Sequence, residues 1–212
     1  MRELVRGIEE RRARRKEPPA DVLAIVVDAA GPEVPARDLA EVFLSFLFAV
    51  AGSVGFVLGW SLYLLGTHPS TEAEPAWVVR EALRLWPVAW NLGRRPARPH
   101  TIAGHAVTPE DDVVVCPYAV HRNPRHWADP HSFRPERWAA EHDPQAFIPF
   151  GWGPHRCIAG TLSMELVEDV LRIGKDGYRM TLTPQQSQPH IGAALAPPRF
   201  TLGLTPLDRT AS

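Results

Sequence analysis

From position 42 to position 66 the chain carries no charged residue, and small residues punctuate the run at Gly52, Ser53, Gly55 and Gly59. An apolar run of this length predicts one long helix, which satisfies every backbone donor and acceptor internally. Asp38 is placed to cap it, so the expected helix runs from 39 to 66 and ends before His68-Pro69. Two environments suit such a helix. It is long enough to cross a bilayer, or it can lie at the centre of a large helical protein with every face covered. The run itself leaves both open. Its glycines allow another helix or a planar group to approach one side closely.

The rest of the chain reads as ordinary soluble protein. Of 212 residues, 45% are hydrophobic and 22% charged, which is the balance of a globular domain. The net charge of −1 leaves no nucleic-acid footprint. The arginines Arg11, Arg12, Arg14 and Arg15 alternate with Glu3, Glu9, Glu10 and Glu17, so positions 1–16 read as a solvated helix rather than a basic arm or a secretory leader. Pro18-Pro19 ends that helix, and Asp21 caps a short one over 22–29. Two cysteines, Cys116 and Cys157, are too few for a disulfide framework and suit a reducing cytosol. Cys116 closes the apolar run Val113-Val114-Val115, which predicts a buried strand. Thirteen of the 22 prolines fall between Pro69 and Pro154 and predict a coil-rich middle. His121, His126 and His131 recur every five residues, but Pro124 and Pro130 break any shared face, and no zinc-like ligand spacing accompanies them.

Two patterns carry chemistry. The first is the loop Phe147-Ile148-Pro149-Phe150-Gly151-Trp152-Gly153-Pro154-His155-Arg156-Cys157-Ile158-Ala159-Gly160. Gly151 and Gly153 admit turns that a side chain blocks, and Pro149 and Pro154 stiffen the backbone. The loop delivers Cys157 to the start of a helix expected over 161–173, with Leu162, Met164, Leu166 and Val170 on its buried side and a turn at 174–177. A helix N-terminus favours an anion and hence a thiolate, which serves as an iron ligand or a nucleophile. The second pattern is Glu81-Ala82-Leu83-Arg84, whose carboxylate and guanidinium meet on one helix face.

Phe150-x-x-Gly153-x-x-x-Cys157-x-Ala159, with Glu81-x-x-Arg84 upstream and Arg137 between them, resembles the haem-binding half of the cytochrome P450 family. The family usually has Gly where this chain has Ala159. The resemblance implies a mainly α fold with small β-sheets, the C-terminal half of the P450 fold. Its parts are a long central helix, a Glu-x-x-Arg helix, a coil-rich meander, a Cys-ligand loop and a following helix. It favours the buried reading of the long helix. The whole of 1–212 is then one partial domain, with a helical part over 1–70 and a haem-binding part over 71–212. Haem b would be held by Cys157 as axial thiolate and metal ligand, with Phe150, Gly151 and Gly153 shaping the loop. His155 and Arg95 would meet the propionates, with Arg94 as the alternative to Arg95. Glu81, Arg84 and Arg137 take a structural role. The family's acid–threonine pair for oxygen activation aligns with Gly52 and Ser53, so this chain lacks the acid. The residues around 88–91 would touch substrate.

The implied function is a monooxygenase-type oxidation of a small organic substrate by a cytoplasmic, bacterial-type enzyme, with no membrane and no nucleic acid as partner. No Gly-x-Gly-x-x-Gly fingerprint occurs, so electrons would come from an external ferredoxin or reductase. The alternative is a split or truncated haem-binding subunit without its own oxygenase activity, completed by a chain that supplies the N-terminal half.

Overall fold

The computed structural model describes residues 1–14, 18–140, 143–186, 189–192 and 194–207. Arg15 and Lys16 of the expected first helix lie outside these residues. The chain forms two compact units, Met1–Ser53 and Val54–Ser212.

In the first unit, α1 (Arg2–Ala13) and α2 (Val22–Ala30) pack with the start of α3 (Ala36–Thr67). Ile8, Val27, Leu39 and Ala40 form its core, ringed by Leu4, Val5, Leu23 and Val26. Asp21 caps α2 by accepting from the Ala24 N–H at 2.7 Å. Arg11 pairs with Asp28 across the two short helices. Asp38 lies in the first turn of α3 and not at its cap, because the helix begins earlier, at Ala36. An acid in that turn still complements the helix dipole. Beyond Ala40 this part of α3 is exposed: Phe46 and Leu47 are each 51% accessible and Phe48 is 85%. The helix covered on all sides is therefore not what this unit shows. By length and composition alone α3 can cross a membrane.

In the second unit α3 is covered. Val57 joins Val78, Val79 and Leu83 of α4 (Pro75–Leu85) and Val167 and Leu171 of α6 (Gly160–Gly177) in one core. Trp60 stacks on Trp86 at 4.1 Å, and its indole N–H donates to the Leu195 carbonyl at 2.6 Å. Between α4 and α6 the chain is coil with four short strands and a few single helical turns. Strand β1 (Leu92–Arg94) pairs antiparallel with β4 (Val113–Val115), Gly93 opposite Val114. Strand β2 (His100–Ile102) pairs with β3 (His105–Val107). After β4 comes the one-turn helix α5 (Pro117–Val120). Behind α6, β5 (Tyr178–Pro184) pairs along its whole length with β8 (Phe200–Pro206), and β6 (His190–Ile191) pairs with β7 (Leu195–Ala196).

Three sequence expectations are corrected here. Strand β4 is not buried: Val114 is 60% exposed, because its ribbon has only two strands. Cys116 is half-exposed rather than buried. Helix α6 does not turn out at 174 but runs to Gly177, and it buries Val167 and Leu171 with Met164 packed beside them. Leu162, Leu166, Val170 and Ile173 form a second apolar row that faces outward.

The two rows of α6 should separate cleanly under truncation. Leu171→Ala should cost about 3 kcal/mol in urea unfolding, and Leu162→Ala should stay within about 0.5 kcal/mol of the parent.

Candidate functional site

The cysteine loop is built by local hydrogen bonds. The Gly151 N–H donates to the Ile148 carbonyl at 3.1 Å, the Arg156 N–H to Gly153 at 3.0 Å, and the Cys157 N–H to Phe150 at 2.9 Å. The last bond closes the loop on itself. Gly151 and Gly153 take φ of +72° and +73°, where a Cβ would be strained. A 3-10 turn, Gly153–His155, brings His155 two residues before the cysteine, exposed. Gly160, at the start of α6, lies against the Phe150 ring, which an added Cβ would meet at 3.0 Å. Cys157 itself is exposed. Ile158 next to it is 98% accessible, so the thiol opens onto an apolar surface.

The loop rests on a buried charge cluster. Both oxygens of the fully buried Glu81 are occupied. Its Oε1 accepts from Arg84 Nη2 at 2.7 Å, Arg137 Nε at 3.1 Å and the Arg134 backbone N–H at 3.0 Å. Its Oε2 accepts from Arg84 Nε at 2.9 Å and the Trp138 indole N–H at 3.0 Å. The other nitrogen faces of Arg84 reach the carbonyls of His121, Pro130 and Ser132. Arg137 also holds those of Ala128 and Asp129. Two helix residues thereby fix a coil with little secondary structure of its own. Trp127, Trp138 and Phe147 pack as an aromatic layer beside it.

Sequence reasoning passed over one member of this assembly. His121 is fully buried, with its ring 5.4 Å from that of Phe147. Burial pushes its pKa down to about 4, against the bond to the Arg84 carbonyl and with the charges of Arg84 and Arg122 assisting. The five-residue histidine repeat to which it belongs was set aside as a metal pattern, and no short-range pattern points to its actual partners. His126 and His131, by contrast, are exposed.

A cleft of about 660 Å³ opens on one side of the loop, between Arg80, Trp138, Trp152, Arg156 and Glu168. Burial raises the Glu168 carboxyl above its ordinary range. Cys157 does not line this cleft, so the cleft and the thiol are separate features.

Residues 76–167 match the family model for Cytochrome P450. The mouse protein cytochrome P450 4V2 is 30% identical over 168 residues, covering 65% of this chain and 32% of the relative. Cyclooctat-9-en-7-ol 5-monooxygenase of Streptomyces melanosporofaciens is 29% identical over 216 residues, covering 87% of this chain and 47% of the relative. The crystal structure of the cytochrome P450DA heme domain superposes with a TM-score of 0.83 at 22% identity, covering 96% of this chain and 52% of that one. These matches support kinship with the cytochrome P450 family over part of its fold. The chain spans between a third and a half of the length of these relatives and holds part of the P450 fold.

The P450 cofactor is haem with thiolate ligation, and the residues present fit it. Among the described residues no three His, Cys, Asp or Glu side chains group as a metal site. Cys157 would supply that thiolate. The thiol is accessible, and Ile158 next to it in the chain is exposed and apolar, which suits a flat hydrophobic macrocycle.

The remaining P450 expectations fall as follows. Arg95 is exposed and pairs with Asp112 at 2.9 Å, a bond that raises the arginine and lowers the carboxyl. Such a pair exchanges readily with solvent or another anion. Arg94 bonds the Gly93 carbonyl. Val88 packs against the main core, while Trp90 donates to the Gly192 carbonyl at 3.2 Å. Gly52 and Ser53 lie exposed in the first unit, and a Cβ added at Gly52 meets nothing.

The lowered pKa of His121 has a signed consequence. The unfolded chain takes up the proton near pH 6.5 and the folded chain only near pH 4, so the unfolded state binds more protons in that window. The contribution is complete above pH 6.5 and is lost as pH falls toward 4, about 3 kcal/mol in all. Urea midpoints at pH 7 and pH 4.5 should fall further in the parent than in His121→Gln.

Proposed function

We propose that this chain carries the thiolate-bearing side of a haem-thiolate oxidoreductase that oxidises a small organic substrate in the monooxygenase manner. The observation that carries the reading is the loop ending at Cys157, open to a ligand at its tip and anchored at its base to a fully buried ion cluster. When bound, haem supplies the oxidising chemistry, and the cysteine's electron donation favours O–O cleavage. The chain's own residues hold and orient it. Cys157 would hold the iron through its thiolate, and Phe150, Gly151 and Gly153 would set the loop's shape. His155 is accessible for one propionate, and Arg95 for the other on releasing Asp112. Glu81, Arg84 and Arg137 fix the coil behind the loop. Ser53 offers a hydroxyl for a water near the oxygen site. Gly52 has no proton to relay, so oxygen activation there differs from that of relatives with an acid. Electrons come from an external ferredoxin or reductase. The Streptomyces relative is named a monooxygenase of cyclooctat-9-en-7-ol, which supports natural-product oxidation as the setting.

A second reading has its own support. The chain spans about half of its structural neighbour, and α6 presents an outward row of Leu162, Leu166, Val170 and Ile173. Contiguous exposed apolar residues mark a contact surface. On this reading the chain is a haem-binding or interaction subunit, active only when more polypeptide completes the fold. Both readings place it in the cytoplasm, outside the membrane. Helix α3 passes the length test for a span, but its C-terminal part is packed in protein through Val57, Trp60 and Leu64. After ultracentrifugation without detergent the chain should remain in the supernatant, whereas recovery with the membranes would assign α3 to the bilayer.

The decisive spectrum is the ferrous–carbon monoxide difference spectrum of the chain with added haem. A strongly red-shifted Soret band that disappears in Cys157→Ala is expected. A parent chain that gives no such band alone, and gains it only with a second polypeptide, would select the subunit reading.

A further inference from the structure

We propose that His121 is the positioning residue of the cysteine loop, joining the end of the Glu81–Arg84 helix to the segment that presents Cys157. The inference rests on the thiolate reading for its functional meaning and on geometry for its substance. Helix α4 ends at Leu85, so the Arg84 carbonyl is one of the helix-end acceptors without an intrahelical partner. The Ile148 N–H lies in coil at the start of the loop, where no strand supplies an acceptor. One imidazole satisfies both. His121 Nδ1 meets the Arg84 carbonyl at 3.2 Å, and its Nε2 accepts from the Ile148 N–H at 2.9 Å. A carbonyl only accepts and an amide N–H only donates, so the ring is neutral with its proton on Nδ1. The His121 carbonyl is itself held by Arg84 Nη1 at 2.8 Å, which fixes the backbone from which the ring projects.

From that point the path to the cysteine is short. Ile148 accepts from Gly151 through its carbonyl, and Phe150 accepts from Cys157. The ring is therefore the link between a rigid buried cluster and a loop that otherwise bonds mainly to itself. No amide side chain spans the same gap. Glutamine places its oxygen near the Nε2 position and keeps the acceptor for Ile148. Asparagine places its nitrogen near the Nδ1 position and keeps only the donor for Arg84.

That difference supplies the test. Hydrogen exchange at pH 7 is followed in peptides covering 145–160 and 76–86 of the haem-free chain, for the parent, His121→Gln and His121→Asn. In His121→Asn the loop peptide should exchange roughly tenfold faster, the loss expected for one buried hydrogen bond, with the α4 peptide unchanged. In His121→Gln the loop should remain close to the parent. Equal loop exchange in all three chains would overturn the proposal. So would a rise in loop and helix together in His121→Asn, which is general destabilisation. In the haem-loaded chains, His121→Asn should show a smaller red-shifted carbon monoxide band than His121→Gln. If the parent gives no such band, alone or with a second polypeptide, the thiolate reading fails, while the exchange data still decide whether His121 positions the loop.

Discussion

The second unit depends on one carboxylate. Glu81 is removed from water and receives five hydrogen bonds, from two guanidinium groups, an indole and a backbone amide. A buried ion pair by itself is a weak source of net stability, because desolvation offsets the Coulomb attraction. Its leverage here is geometric. The two arginines carry their spare N–H groups to five backbone carbonyls of the coil, at His121, Ala128, Asp129, Pro130 and Ser132. A proline-rich segment lacks the amide donors to organise itself in ladders. Side-chain donors from α4 and from the 3-10 turn Pro135–Ala139 do that work in their place, and removing the carboxylate would leave two charges facing each other with nothing between them.

Much of this was legible in the sequence because the parts are local. Glu81 and Arg84 are neighbours on a helix face, Gly151 and Gly153 announce positive φ, and an uncharged run announces a helix. What was not legible depends on which surface finds a partner. Helix α6 has two apolar rows, one through Met164, Val167 and Leu171 and one through Leu162, Leu166, Val170 and Ile173. Periodicity shows both and cannot say which the chain itself covers. The same ambiguity made β4 look buried, since an all-valine strand reads alike whether or not another layer lies on it. His121 was opaque for a different reason. Its partners are backbone groups of distant segments, and backbone groups leave no trace in residue identity.

The exposed residues of the second unit follow a pattern. Those that pack inward hold the base of the cysteine loop, and those left open are the thiol, Ile158 beside it and the outward row of α6. A soluble domain rarely leaves such an apolar series unpartnered. The chain spans about half of its structural neighbour, so the family's fold contains further polypeptide that such surfaces can meet. The α6 row and the cofactor-facing side of Cys157 are then different surfaces, one for protein and one for the macrocycle.

This division separates two tasks that a haem-thiolate protein must perform. Holding a thiolate at fixed orientation needs a stiff base, and the base is present in full, from Glu81 through His121 to the Phe150–Cys157 bond. Delivering protons to a bound ligand needs a relay, and on the proposed reading that position falls at Gly52 and Ser53, without an acid. A rigid base cannot compensate for a missing proton donor, because the two act on different bonds: one on iron and sulfur, the other on oxygen. On the proposed reading, ligation and oxygen chemistry are therefore separable properties in this protein, and a normal thiolate spectrum would not by itself imply dioxygen-driven turnover.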